Sequence, residues 1–142
     1  MAINPELMKT IPGMGLILVA GGVRSGKSCM VYGLVEAFHQ LDPSRPCLAF
    51  NFPEEKAQYL PDYIHRSEDL NFPERSIVIA DEAYMTFHSK ENNTDANKFM
   101  DQLSGLVGQK NLLAFFVTQS LRKLALAQTS SAQTLLGKCP DI

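Results

Sequence analysis

A chain of 142 residues, 45% hydrophobic and 20% charged, is long enough to bury a sizeable core in one domain, which excludes a disordered or fibrous protein. Thirteen basic and fifteen acidic residues leave a formal charge of −2, so no broad positive field supports autonomous, tight nucleic-acid binding. Three cysteines, Cys29, Cys47 and Cys139, are odd in number and lack metal-ligand spacing; they fit reduced thiols and a cytoplasmic location better than a disulfide framework.

Residues 1–13, with Pro5, Pro12 and Gly13, read as a lead-in segment. The apolar run that follows spans only about ten residues and is better explained as the first core strand, so neither a signal nor a transmembrane segment is expected. Its centre, Leu16-Ile17-Leu18-Val19-Ala20, predicts a buried first strand. Directly after it stands Gly21-Gly22-Val23-Arg24-Ser25-Gly26-Lys27-Ser28, which satisfies every fixed position of the Walker A pattern G-x-x-x-x-G-K-[ST].

That spacing has a physical reading. Glycines at both ends let the loop wrap a phosphate and turn its backbone N–H groups inward, and the helix that follows adds partial positive charge at its N-terminus. Lys27 is expected to reach the β- and γ-phosphate oxygens, the Ser28 hydroxyl to hold Mg²⁺, and the nucleotide-binding segment to run from Gly21 through Cys29. Arg24 can touch phosphate or base, although most residue types are tolerated there. Met30, Val31, Leu34, Val35 and Phe38 then recur at helical spacing.

Leu41-Asp42-Pro43-Ser44-Arg45-Pro46 is a turn-rich break, and Cys47-Leu48-Ala49-Phe50 a short second strand ended by Pro53. The polar stretch from Glu54 to Arg75 reads as a variable insert, with one short helix around Glu54–Tyr59 and an extended piece around Tyr63–Ile64. Ser76-Ile77-Val78-Ile79-Ala80 predicts another buried strand, ending in Asp81-Glu82. Lys90 to Asp95 lacks apolar periodicity and is expected as a loop. Phe99, Met100, Leu103, Leu106 and Val107 mark one face of a helix with Gly108 near its end. Leu112 to Val117 is the next buried strand, ending at Thr118-Gln119-Ser120, and Leu121 to about Leu136 favours one or two short helices.

Strands alternating with helices imply an α/β domain whose mostly parallel sheet is covered on both faces, with ligands at the carboxyl ends of the strands. All three polar signatures follow strand ends, which points to one shared site. Asp81 suits the metal shell, and Glu82, one residue beyond it, suits the group that orients and polarises an attacking water. Gln119 can bridge the γ-phosphate and that water, or cap the helix after it. Arg122 and Lys123 can offer charge to a neighbouring subunit's nucleotide, or simply form a solvated face. His39, His65 and His88 share no metal-like spacing, and no serine lies in a nucleophile elbow.

The loop Gly21–Ser28, the pair Asp81-Glu82 and the strand end Thr118-Gln119 together resemble the additional-strand, catalytic-glutamate class of P-loop ATPases. Within that class the layout over about residues 14–127 looks like the zonular occludens toxin-type assembly ATPases and related viral and plasmid DNA-translocating ATPases. The resemblance implies a three-layer P-loop NTPase fold, with catalytic Lys27, Glu82 and Gln119, Mg²⁺ on Ser28 and Asp81, and ATP hydrolysis coupled to virion assembly, DNA packaging or DNA transfer. It also implies a homo-oligomeric ring, DNA as a partner through the assembly, and a bacterial or virus-infected cytoplasm. Members of the class place a further strand beside the first one, whereas this chain ends near where that strand should begin. The expectation is therefore a single domain over 1–142, truncated at its C-terminus, with its first strand left as an edge. Two other readings stand beside ATP hydrolysis: a small-molecule kinase, and a nucleotide-gated assembly subunit with little turnover.

Overall fold

The computed structural model describes residues 13–20, 27–84, 92–118 and 133–136. Among them six strands form one sheet: β1 (Gly15–Ala20), β2 (Cys47–Phe50), β3 (Ile64–Ser67), β4 (Ile77–Asp81), β5 (Leu113–Thr118) and β6 (Gln133–Leu136). Their spatial order is β3-β2-β4-β5-β1-β6, and every pairing is parallel. Two long helices, α1 (Lys27–Leu41) and α2 (Asn92–Lys110), provide the crossovers that parallel strands require.

The strands read as near-continuous apolar runs because both faces of the sheet are buried. On one face, Ile17, Val19, Ile77, Ile79, Leu113, Phe115 and Val117 pack with Met30, Val31, Leu34, Val35 and Phe38 of α1. On the other, Leu16, Leu18, Val78, Ala80, Ala114 and Phe116 pack with Phe99, Met100, Leu103 and Val107 of α2. Strand alternation sorts each run into these two sets, and the period of the helices supplies the matching stripes. The α/β class with its parallel sheet covered on both faces is thus observed.

Two local expectations need correction. The further strand expected to be missing beside β1 is present: Ile17, Leu18, Val19 and Ala20 of β1 pair with Gln133, Thr134, Leu135 and Leu136 of β6. β1 is therefore an interior strand, and part of the stretch read as short helices is extended. Four residues, half of them polar, are too short a run for periodicity to distinguish the two. Second, Asn92–Asp95 belong to α2, not to a loop. Polar residues of the Asn, Thr and Asp types suit the first turn of a helix, where unpaired N–H groups attract side-chain oxygens and negative charge. Gly108 lies near the end of α2, as expected, and Asn111, with φ 55°, supplies the left-handed residue that stops the helix.

The insert is ordered around the sheet edge. Glu54–Tyr59 forms a 3₁₀ helix, and β3 adds to β2 as an edge strand. Arg66 Nε donates to the Phe52 carbonyl at 2.9 Å, tying β3 to the end of β2. No helix among the described residues is long and apolar enough to cross a membrane.

Candidate functional site

Because the strands are parallel, their carboxyl ends meet at one edge of the sheet. Ala20 at the end of β1 stands opposite Thr118 at the end of β5, and Val117 in turn stands opposite Asp81 at the end of β4. β5 therefore lies between the strand that runs into the glycine-rich segment and the strand that delivers the carboxylates. Lys27, Ser28 and Cys29 form the first turn of α1, on the return from that same edge. A helix start presents N–H groups without intrahelical partners and the positive end of the helix dipole.

Asp81 and Glu82 accept hydrogen bonds from different parts of the fold. The Asp81 Oδ1 atom accepts a 2.9 Å hydrogen bond from the Ala83 backbone N–H, which makes it the cap of the 3₁₀ helix Glu82–Tyr84. That turn sets Glu82 off the strand axis. The Thr118 hydroxyl donates to Glu82 Oε2 at 3.0 Å, spanning the ends of β5 and β4. Thr118 is fully buried, whereas Glu82 is half-buried, so the carboxylate is held from the protein side and reachable from outside.

An aromatic wall adjoins the carboxylates. Tyr32 on α1 lies within electrostatic reach of Tyr84 and Asp81, and its hydroxyl is pushed well above the usual tyrosine range, by burial first and by these two neighbours next. Tyr84 stacks edge-on against Phe52 with ring centroids 5.5 Å apart, and Lys56 Nζ lies 5.9 Å from the Tyr84 ring centre. The 3₁₀ helix of the insert thereby borders the site through Lys56.

The expected site residues divide clearly. Asp81 and Glu82 stand at the carboxyl end of β4, separated from the end of β1 by β5, and Lys27, Ser28 and Cys29 open the helix that follows β1. Gly21, Gly22, Val23, Arg24, Ser25 and Gly26, as well as Gln119, Arg122 and Lys123, lie outside the described residues. Thr118, Tyr32 and Tyr84 were not among the expected site residues. Thr118 carried a signal, a hydroxyl closing an otherwise apolar strand, and Tyr32 stands one helical turn after Ser28.

Hard oxygen donors suit Mg²⁺, and the Asp81 carboxylate at the end of β4 is a donor of that kind; among the described residues no group of three or more His, Cys, Asp or Glu gathers to hold a metal. The buried Cys47 stands at the opposite end of the sheet, at the start of β2, where its Sγ lies against the Arg45 carbonyl at 3.6 Å and burial raises its thiol.

No family model matches the chain, and no curated protein does. Among solved structures, it is similar to a chain in the HORMA:CdnC:Trip13 complex of E. coli MS115-1, with a TM-score of 0.52 and 16% identity. The match covers 90% of this chain and 49% of that one, so the chain spans about half the length of the solved chain it matches. The resemblance to the additional-strand, catalytic-glutamate class and its zonular occludens toxin-type members is corrected accordingly: the likeness leads to a HORMA:CdnC:Trip13 complex and not to an assembly or DNA-packaging ATPase. Three short motifs fix too few positions to select a family. At 16% identity the likeness establishes an α/β fold for this chain and nothing finer.

Proposed function

We propose that this chain binds ATP at the carboxyl edge of its sheet and hydrolyses it with Mg²⁺. The observation that supports this reading best is the Glu82 carboxylate, held by Thr118 and standing one residue beyond Asp81, at the same sheet edge as the β1-to-α1 turn. In this reading the backbone of Gly21 to Cys29 and the Lys27 ammonium hold the phosphates, and Ser28 and Asp81 hold the metal. Bound Mg²⁺ would supply charge neutralisation on the phosphate oxygens. Glu82 orients a water and accepts its proton as the water oxygen bonds to the γ-phosphorus; the bond to the bridging oxygen breaks, and ADP leaves with the electron pair.

A kinase would need its acceptor activated but not water, so an adjacent Asp-Glu pair favours hydrolysis. A nucleotide-gated subunit without turnover drew support from a bare β1 edge, which β6 fills, and from the lack of a clear arginine finger, whose candidates Arg122 and Lys123 lie outside the described residues. Coupling to DNA and assembly into a ring rested on the family resemblance and form no part of the proposal.

The test is steady-state phosphate release from ATP with Mg²⁺, together with nucleotide affinity by calorimetry. Lys27→Ala is expected to weaken nucleotide binding, and Glu82→Gln to lower turnover by about 10²-fold or more while affinity is kept. Turnover that Glu82→Gln leaves intact would overturn the assignment of Glu82.

A further inference from the structure

The opposite end of the sheet carries a second concave feature. A pocket of 450 Å³ is lined by Gly13, Met14, Arg45, Arg75 and Asn111. Each of these residues leads into a strand: Gly13 and Met14 into β1, Arg45 into β2, Arg75 into β4 and Asn111 into β5. The pocket is therefore built where four chain segments enter the sheet, far from Asp81 and Glu82. A Cβ added at Gly13 would meet no atom within 4 Å, so the mouth is open on that side.

Two arginines line this pocket within electrostatic reach of each other. Arg45 is fixed by Nε on the Arg75 carbonyl and Nη2 on the Gly13 carbonyl, both at 2.6 Å. These acceptors are neutral and orient the fork without cancelling its charge. Arg75 Nη2 donates to Asp42 Oδ2 at 3.0 Å, and Asp42 is also the carboxylate that acts on Arg45. One carboxylate thus stands against two permanent cations. The Arg45 charge is disfavoured by burial and, next, by Arg75, which is a cost that a bound anion would relieve.

Arg75 also holds φ at 64°, a left-handed backbone that a long side chain rarely adopts. Its side chain is 61% exposed, and an exposed pair with Asp42 does not by itself require that conformation. That conformation closes the Pro73–Ser76 turn, in which the Ser76 N–H donates to the Pro73 carbonyl at 3.3 Å, and it sets Arg75 in the pocket wall.

We propose that the pocket between Arg45 and Arg75 binds the oxyanion group of a small polar molecule, a phosphate or a carboxylate, taken by the paired guanidinium forks with Asn111 at the rim. Its volume falls within the range of roughly 300–1,000 Å³ common for small-molecule sites, and planar forks suit either oxyanion in bidentate geometry.

The test uses the ¹⁵N-labelled full chain carrying Lys27→Ala, so that the glycine-rich segment does not take up the probe. Inorganic phosphate and acetate are titrated separately at constant ionic strength, following the Nε–Hε signals of Arg45 and Arg75 and the side-chain amide of Asn111. Saturable shifts of these signals are expected with one of the two anions, phosphate saturation marking a phosphate ligand and acetate saturation a carboxylate. Arg75→Asn tolerates a left-handed backbone and should weaken the binding at least tenfold; Arg75→Lys, which keeps charge but loses the fork, should weaken it less. Absence of saturable shifts with both anions overturns the proposal, as does binding that both Arg75 variants leave unchanged.

Discussion

Thr118 Oγ1 and Glu82 Oε2, 3.0 Å apart, join the ends of β5 and β4 through a hydrogen bond from a fully buried hydroxyl to a half-buried carboxylate. A hydroxyl in this place aims the carboxylate without neutralising it. Removing it should cost orientation and not binding. Thr118→Val keeps the shape and deletes the donor, and is expected to lower turnover about 10- to 100-fold while leaving nucleotide affinity near its starting value. Thr118→Ser should restore most of the rate. A valine variant with full turnover would show that Glu82 needs no positioning from β5.

Tyr32 lies half-buried between α1 and the carboxylates, and its folded-state pKa is raised above the ordinary 10.0. A raised folded value means that its contribution to stability is fully present below pH 10 and is lost as the pH climbs beyond it. Absorbance titration of the four tyrosines should show components that ionise late, since burial raises Tyr63 as well, and Tyr32→Phe should remove the latest of them. A titration curve identical in the variant would contradict the placement of this hydroxyl.

Phe115 and Phe116 point to opposite faces of β5 and are both fully buried, each at the centre of one of the two apolar layers. Truncation of either to alanine is expected to lower unfolding free energy by about 3–5 kcal/mol, since the surrounding strands cannot collapse into the space. Urea unfolding monitored by circular dichroism would measure this, and losses below 1 kcal/mol would argue against the core described above.

Asp42 accepts hydrogen bonds from the Ser44 hydroxyl at 2.6 Å and from Arg75 at 3.0 Å, which together hold its carboxyl below the usual value of 3.8. A lowered folded pKa contributes stability that is complete above pH 3.8 and disappears as the pH falls further, through the folded value. Acid unfolding of Asp42→Asn should therefore be less steep in that window than that of the unsubstituted chain. Because the group is solvent-exposed, the difference should be small and should shrink in salt.

Much of the fold could be read from periodicity, and particular residues show why the rest could not. Leu16–Ala20, Ile77–Ala80 and Leu112–Val117 are long apolar runs that only a doubly covered sheet accommodates, and Met30, Val31, Leu34, Val35 and Phe38 repeat at the period of α1. Ile64-His65-Arg66-Ser67 forms β3 with a single buried residue, because an edge strand has little core to face. β6 is as short and gives as weak a signal. At the site, Asp81 and Glu82 were legible as charges closing an apolar run. The Thr118 contact was not, because it depends on β5 being inserted between β1 and β4, a fact of long-range pairing that no local pattern encodes.

The insertion of β5 also bears on the order of events during folding. Residue 15 pairs with residue 113, and residue 77 of β4 pairs with the same partner on its other side, so the central strands unite only after nearly all of this chain segment is available. Local helices can form early, but the edge that gathers Ala20, Asp81 and Thr118 comes into being with the last long-range closure. Nascent or fragmentary chains ending before β5 would carry every residue of the glycine-rich segment and both acidic residues, yet have no shared edge on which to assemble them. Under the proposed function, nucleotide capture would then report completed folding of the sheet, the nucleotide acting as a late stabiliser and not as a template for early steps.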